Sequence, residues 1–507
     1  MMLRRVLTAL LAACAGVLAL LVVGPPAHAA PVTLTNPIDF TGTNGDPVDA
    51  HGGGVIKRNG YYYWFGENRH SDDTFKAVSV YKSSDLRTWE WVGDALNEAS
   101  DPELESAKIE RPKVIYNSTT KKFVMWMHKE NATDYLEARA AVAVSDTIEG
   151  PYDYQSSFRP PSGTESRDMT LFVDKDANGN ETAYHATAAK DNADLRIYKL
   201  NSAFTGYDTN YKVKEEVALV ANPWPGQYRE SPALFKRDGV YFMLTSGTRG
   251  WNPNQQKYAT STSLSTGWSE MKDVGNDIAY DSQTTFVLPI QGTSGTSYLY
   301  MGDRWAGADI RGRRPVNEST YVWLPLTFPT KTAMNLPWYP QVEIDTAAGT
   351  VKGMGGGPYY NLVARHSNKC VDVKDNSSAD HNTSADAPDT QKAPVVQFTC
   401  NDGLNQQWRL EGAGDGYYRI LAQHSGKCLD VEHASTADEA FVNQYSCGSG
   451  QNQQWKFDDQ GNGYYRLVAR HSGKCLDVPA GSKNDIVRLI QYTCGTGTNQ
   501  QFTRPKV

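Results

Sequence analysis

After a leader of about thirty residues, the chain reads as strand after strand. GYYYWFGE (Gly60 to Glu67), KKFVMWMH (Lys121 to His128), GVYFMLTS (Gly239 to Ser246) and SYLYMGDRW (Ser297 to Trp305) are short, aromatic and apolar, with Gly, Asn and Asp turns between them. This pattern predicts β-strands, and no long stretch carries the apolar period of an amphipathic helix. A weaker echo recurs where strand sets end: SSDLRTW from Ser83, SDTIEGPY from Ser145, NSAFTGY from Asn201 and STSLSTGW from Ser261. Four echoes plus a final strand set near Tyr321 to Phe328 predict five blades. The expected fold class is all-β, its larger part a five-bladed β-propeller.

The last third obeys a different rule. ARHSNKCVDV, AQHSGKCLDV and ARHSGKCLDV begin at Ala364, Ala422 and Ala469. QFTC, QYSC and QYTC follow, ending at Cys400, Cys447 and Cys494, and NQQW, NQQW and NQQF close each unit from Asn405, Asn452 and Asn499. Recurrence about every 50 residues marks a threefold repeat architecture. Six of the seven cysteines fall here, an even number, which in an exported chain points to disulfides. The repeat pairs them as Cys370–Cys400, Cys428–Cys447 and Cys475–Cys494. Zinc is not expected, because no Cys-x-x-Cys pair or Cys/His cluster is present.

The leader carries Arg4 and Arg5, an apolar run from Val6 to Val23 and a small-residue exit at Ala27-His28-Ala29, which is the pattern of a cleaved export signal. The run approaches a membrane-spanning length, but Pro25, Pro26 and the exit site favour cleavage over anchoring. The division is then 1–29 for the signal peptide, 30–352 for the propeller, 353–358 for a Gly-rich joint and 359–507 for the repeat domain. A net charge of −7 argues against a nucleic-acid partner. A secreted, extracellular monomer without membrane partner, metal or cofactor is the expectation. Aromatics reach 11 %, which suits sugar platforms and sheet packing alike.

The repeat motifs resemble the ricin-type β-trefoil, known among enzymes as carbohydrate-binding module family 13. The resemblance implies a sugar site in each lobe, built from the Asp of C-L-D-V, the aromatic two before the second Cys, and the closing Asn-Gln. The residues are Asp372, Phe398, Asn405 and Gln406 in the first lobe. The second lobe has Asp430, Asn443, Tyr445, Asn452 and Gln453, and the third has Asp477, Tyr492, Asn499 and Gln500. The second Gln and the Trp of NQQW read as core.

Acidic residues that open strands are the place to look for chemistry, because the innermost strands of a propeller begin near its central funnel. Glu230 in YRESPA, Asp168 in SRDMTLF and Glu110 in IERPKV occupy such places. ERPKVIYN, SRDMTLFVD, RESPALFKRDGVYFMLTSG and DSQTTFVLPI resemble family 43 glycoside hydrolases, and AHGGGVIKRNGYYYWFGE narrows the resemblance to the exo-β-1,3-galactanase subgroup. That subgroup implies an inverting mechanism with Glu230 as general acid and Asp168 as the carboxylate that tunes it. Many family members take their base from an Asp in the first blade, and Asp46 and Asp49 lie there. The subgroup instead implies a glutamine opposite the acid, matched by Gln283, with Glu110 as a second essential carboxylate and Asp49 as the alternative base. Glu67, Tyr135, Thr248 and Trp251 are implied substrate contacts, with Arg304 and Trp305 as further funnel candidates.

The resulting expectation is exo-acting, inverting hydrolysis of the β-1,3-galactan backbone of plant-type arabinogalactan from its non-reducing end, releasing galactose or short 6-branched galactosides. Two alternatives stay open: another family 43 activity (arabinofuranosidase, arabinanase or β-xylosidase), or a lectin whose propeller has lost catalysis.

Overall fold

The computed structural model describes residues 30–506 apart from 214–215, 277, 310–311, 355–358, 378–379, 381–392 and 402. The expected export signal lies outside the described residues. Among those described, no helix is long and apolar enough to cross a membrane.

Four consecutive four-stranded antiparallel sheets span His51–Asn97, Lys108–Phe158, Met169–Ala221 and Arg229–Val274. The fifth sheet has strands Gln283–Gly292, Gly295–Arg304 and Thr320–Pro325. Its fourth edge is supplied by the N-terminal segment, where Ile38 and Tyr321 exchange both backbone hydrogen bonds. The ring therefore closes by joining its two ends, which removes the open edges a lone sheet would present.

Apolar residues hold the blades together pairwise. One core lies between the first and second blades, one between the second and third, and one between the third and fourth. The largest joins the fourth and fifth to the first, with Phe40, Trp64, Trp89, Tyr321 and Trp323 packed where the ring closes. The echoes seen in sequence have a physical reason here. Each places two apolar side chains, Leu86 and Trp89, Ile148 and Tyr152, Phe204 and Tyr207, or Leu264 and Trp268, into one of these inter-blade cores.

A three-stranded sheet of Val32–Thr35, Gln341–Asp345 and Thr350–Met354 leads out of the propeller. This corrects the expected joint at its near end, since Gly353 and Met354 finish a strand. Gly353 lies flat on the Tyr339 ring, where a Cβ would come within 2.2 Å of ring carbon, so close approach explains this glycine better than flexibility does.

The trefoil is one continuous sheet system around a core that includes Trp408, Trp455 and Phe502. All three disulfides pair as the repeat predicts. Neighbouring lobes are clamped by a recurring ion pair: Lys369 with Asp485, Lys427 with Asp380, and Lys474 with Asp438. The second lobe meets the propeller, where Asn276 donates to the His424 carbonyl at 3.3 Å and Gly426 lies against the Trp338 indole.

Candidate active site

The innermost strands share a device at their first residues. Glu110-Arg111-Pro112 and Glu230-Ser231-Pro232 each slip register against the next strand, with Arg111 at φ +56° and Ser231 at φ +52°. His51-Gly52-Gly53 does the same, with Gly52 at φ +60°. A bulge of this kind turns a strand and re-aims its side chain. Here it brings residues from different blades to one place while the rest of each strand keeps its packing. Gly52 is required: its conformation is left-handed, and a Cβ would stand 2.5 Å from a Glu67 oxygen.

The result is a pocket of about 350 Å³ at the funnel. Glu230, Gln283, Glu110 and Asp168 all line it, and so do Glu67, Tyr135, Thr248 and Trp251. Trp305 lines it too, whereas Arg304 faces a separate cleft against the trefoil. Asp49 lies outside the lining, its carboxylate 3.9 Å from His51 Nε2.

Glu230 is 8 % exposed. Burial and the nearby negative charge of Asp168 push its carboxyl up to about 8, against the pull of Arg111. A carboxylic acid that keeps its proton at neutral pH is what protonation of a leaving oxygen requires. Asp168 in turn accepts from the Ser231 backbone N–H and hydroxyl, at 3.0 and 2.9 Å, and pairs with Arg111 at 3.0 Å.

Gln283 is held on all sides. Its Oε1 accepts from Arg111 at 2.6 Å and from the Trp305 indole at 2.8 Å. Both partners are obligate donors, so the amide orientation is fixed. Its Nε2 donates to Glu230 Oε1 at 3.1 Å and to Ser246 at 2.9 Å. The glutamine expected opposite the acid thus lies within hydrogen-bond reach of it.

Glu110 has a contrasting environment. Burial alone would raise its carboxyl, but hydrogen bonds from His128 and Arg69, with their charges, hold it well below the usual range. Arg69 and the Tyr135 hydroxyl both reach its Oε1, at 2.9 and 2.8 Å. His128 resists burial to reach about 9, because it lies between Glu110 and Glu130. Glu67, paired to Arg69 at 2.6 Å, is lifted by burial to about 7. The site thus opposes a protonated acid to an ionised carboxylate, two carboxyls set apart by their surroundings.

Among the described residues, Glu110, His128 and Asp168 bring ligand-type atoms within 4.8 Å of one another. The donor set suits a cation poorly. Both ring nitrogens of His128 already face carboxylates, Glu110 at 3.1 Å and Glu130 at 2.8 Å, and Arg111 occupies Asp168 at 3.0 Å.

The sequence did not single out Arg111, Arg69, His128 or Asn192, whose Nδ2 is 3.3 Å from Glu230. Arg111 could have been found as the middle residue of a Glu-x-Pro bulge that recurs at Glu230. Asn192 carries no such signal.

In the trefoil, Asp372, Asp430 and Asp477 are buried, Asp430 against a pocket, and Asn405, Asn452 and Asn499 donate to them at 3.0, 2.8 and 3.0 Å. Tyr445 and Tyr492 stand 45 % and 40 % exposed beside them, and Phe398 is half-buried. Three glutamines correct the expectation of sugar contact. Gln406, Gln453 and Gln500 are buried, each accepting a backbone N–H and donating to a backbone carbonyl of its own loop. Gln406 and Gln500 also donate to the Asp, so these side chains brace the site from beneath. Asn443 is corrected as well: it is 1 % exposed and turned to Arg488 at 2.7 Å and Glu432 at 3.4 Å.

Residues 42–284 match the profile of Glycosyl hydrolases family 43. A crystal structure of 1,3Gal43A, an exo-β-1,3-galactanase from Clostridium thermocellum, is 42 % identical, covers 94 % of this chain and 100 % of its own, and superposes with a TM-score of 0.63. The chain belongs to glycosyl hydrolase family 43. Its C-terminal part matches the ricin-type beta-trefoil lectin domain-like profile three times, over residues 350–445, 404–492 and 451–506. An exo-β-1,3-galactanase from Phanerochaete chrysosporium, solved with β-1,3-galactotriose, is 25 % identical over 94 % of this chain and 93 % of its own, with a TM-score of 0.58. A family 43 β-1,3-galactosidase solved with galactodeoxynojirimycin is 32 % identical over 61 % of this chain and 99 % of its own, with a TM-score of 0.53. No curated protein matches the sequence. As a family 43 member this protein is a glycoside hydrolase with a lectin-type trefoil.

Proposed function

We propose that this family 43 enzyme is a secreted exo-β-1,3-galactanase that removes terminal galactose from the backbone of arabinogalactan, with inversion. The observation that carries the chemistry is Glu230, protonated up to about 8 and facing the same small pocket as ionised Glu110. The pocket's volume lies at the small end for ligand sites, which suits one terminal sugar rather than a polymer threaded through it. The likeness to exo-β-1,3-galactanases over nearly the whole chain supports the substrate class.

In this reading Glu230 gives its proton to the glycosidic oxygen as the bond to the anomeric carbon breaks. Asp168 keeps that proton in place by its charge. A sugar ring entering the pocket replaces Glu230 as the partner of Gln283 Nε2, and the amide then orients the attacking water. The water's oxygen bonds to the anomeric carbon while its proton passes to Glu110, the ionised carboxylate in the same pocket. Glu110 supplies negative charge to the developing oxocarbenium ion. The trefoil holds the enzyme on galactose-rich polymer and raises its local concentration. Secretion agrees with the leader and the disulfides.

The test follows the anomeric form of the first sugar released from linear β-1,3-galactan, by wild type and by Gln283→Ala, Glu110→Gln and Asp49→Ala. α-Galactose from wild type, with Gln283→Ala and Glu110→Gln crippled and Asp49→Ala active, supports the assignment. Loss in Asp49→Ala alone would restore the first-blade aspartate as base and favour another family 43 activity.

A further inference from the structure

The three trefoil lobes repeat in backbone but not in the chemistry of one wall. Directly after each C-x-D-V strand comes a short helical turn: Lys374–Asn376, Glu432–Ala434 and Pro479–Gly481. The middle residue is left-handed in all three, with φ of +56° at Asp375, +55° at His433 and +52° at Ala480. The first residues of these turns, Lys374, Glu432 and Pro479, are therefore structural equivalents. One is a cation, one an anion, and one carries no side-chain hydrogen-bonding group.

In the second lobe this turn forms a wall of a pocket of about 450 Å³ that also holds Asp430, Tyr445 and Asn452. Glu432 is not a loose surface carboxylate. Across the lobe boundary Arg488 donates to its Oε2 at 3.3 Å, and Asn443 does so at 3.4 Å. Arg488 also donates to Asn443 Oδ1 at 2.7 Å and stacks its guanidinium 3.7 Å over Phe441. Asn443 has no counterpart in the other lobes, where Val396 and Ile490 hold the paired position. A buried amide that breaks an otherwise apolar repeat thus helps hold a carboxylate that also breaks the repeat.

We infer that Glu432 is a selectivity residue: the second lobe binds neutral galactosides between Asp430, Glu432 and the Tyr445 ring, and rejects sugars that carry a carboxylate. Two carboxylates in one pocket accept hydrogen bonds from vicinal hydroxyls, and charge-assisted bonds of this kind are the strong ones. Arg488, 3.3 Å from Glu432, offsets one of the two charges, and the negative charge that remains repels a uronate, so the anionic sugar is excluded by charge rather than by shape. In the first lobe Lys374 takes this position and pairs with Asp375 at 3.3 Å, so no carboxylate equivalent to Glu432 stands there. Pro479 leaves the third lobe with Asp477, Asn499 and the Tyr492 ring. The inference rests on the proposed reading that the trefoil binds sugar.

The test titrates the full chain with methyl β-galactoside and with the methyl β-glycoside of galacturonic acid, its carboxyl free, comparing wild type, Glu432→Gln, Glu432→Lys and Tyr445→Ala, with thermal unfolding as the control for folding. The catalytic pocket is common to all four, so differences among them report on the second lobe. Glu432→Gln should bind the neutral galactoside about tenfold more weakly at that lobe, as expected for one lost charge-assisted bond. Glu432→Lys should lose the neutral galactoside similarly and gain galacturonate binding absent from wild type. Neutral binding unchanged in both Glu432 variants but lost in Tyr445→Ala would overturn the role of Glu432 while leaving the lobe a sugar site. No sugar bound outside the catalytic pocket in wild type would overturn the trefoil reading itself, and this inference with it.

Discussion

The propeller and the trefoil are both rings of repeats, yet they use repetition in opposite ways. Each trefoil Asp–Asn pair is assembled within one lobe, as in Asp430 with Asn452, and recurs in all three lobes with its motif intact. In the propeller one pocket takes a different residue from each blade: Glu67 from the first, Glu110 from the second, Asp168 from the third, Glu230 from the fourth and Gln283 from the fifth. What the blades share is the inter-blade seal and, in several, the bulge that turns one side chain inward. A binding function that gains from multiplicity keeps its repeats alike. A reaction that needs an acid, a carboxylate and an oriented water forces them apart.

Substitutions should separate the two halves. Glu230→Gln should lower hydrolysis of galactan by a factor on the order of 10² to 10⁴ while binding of the polymer persists, read by product release against a pull-down on insoluble galactan. That variant also carries a stability signature. The folded carboxyl is raised to about 8, so its contribution is fully present below the ordinary carboxylate value and lost as pH rises through 8. The melting temperature of Glu230→Gln should therefore exceed that of wild type above pH 8, by on the order of 5 °C.

Replacing Cys428 and Cys447 together by Ser opens a loop with a sequence separation of 19 and should cost the trefoil about 3 kcal/mol. Calorimetry should show the trefoil transition falling while hydrolysis of a soluble disaccharide is kept. Tyr445→Ala with Tyr492→Ala should weaken polymer binding about tenfold and leave turnover of the disaccharide unchanged. Smallest in extent, Asp168→Asn removes the negative charge that helps keep Glu230 protonated. The alkaline limb of kcat/KM should move to lower pH by about one unit in what activity remains.

How far the sequence could be read divides along the same line. The trefoil's fold, lobes and disulfides were legible because they lie in contiguous motifs. The same repetition misled about Gln406, Gln453 and Gln500, since a residue that recurs to brace a loop looks like one that recurs to touch a ligand. In the propeller, Glu110 and Glu230 were legible as acidic residues that open strands. The electrostatics around them were not, because Arg69 and His128 reach Glu110 from neighbouring strands and nothing in their own segments marks the meeting. The contact of Gln283 with Glu230 spans two blades and was invisible for the same reason.

The central claim is that five blades build one pocket closed around a terminal galactose, with Glu230 as its acid. The most direct measurement follows the size of the products released from linear β-1,3-galactan during the first minutes of reaction. The account predicts galactose as the sole small product, appearing while the polymer shortens slowly, with no release by Glu230→Gln. An early ladder of galacto-oligosaccharides, or arabinose or xylose released from arabinoxylan with the galactan untouched, would contradict it.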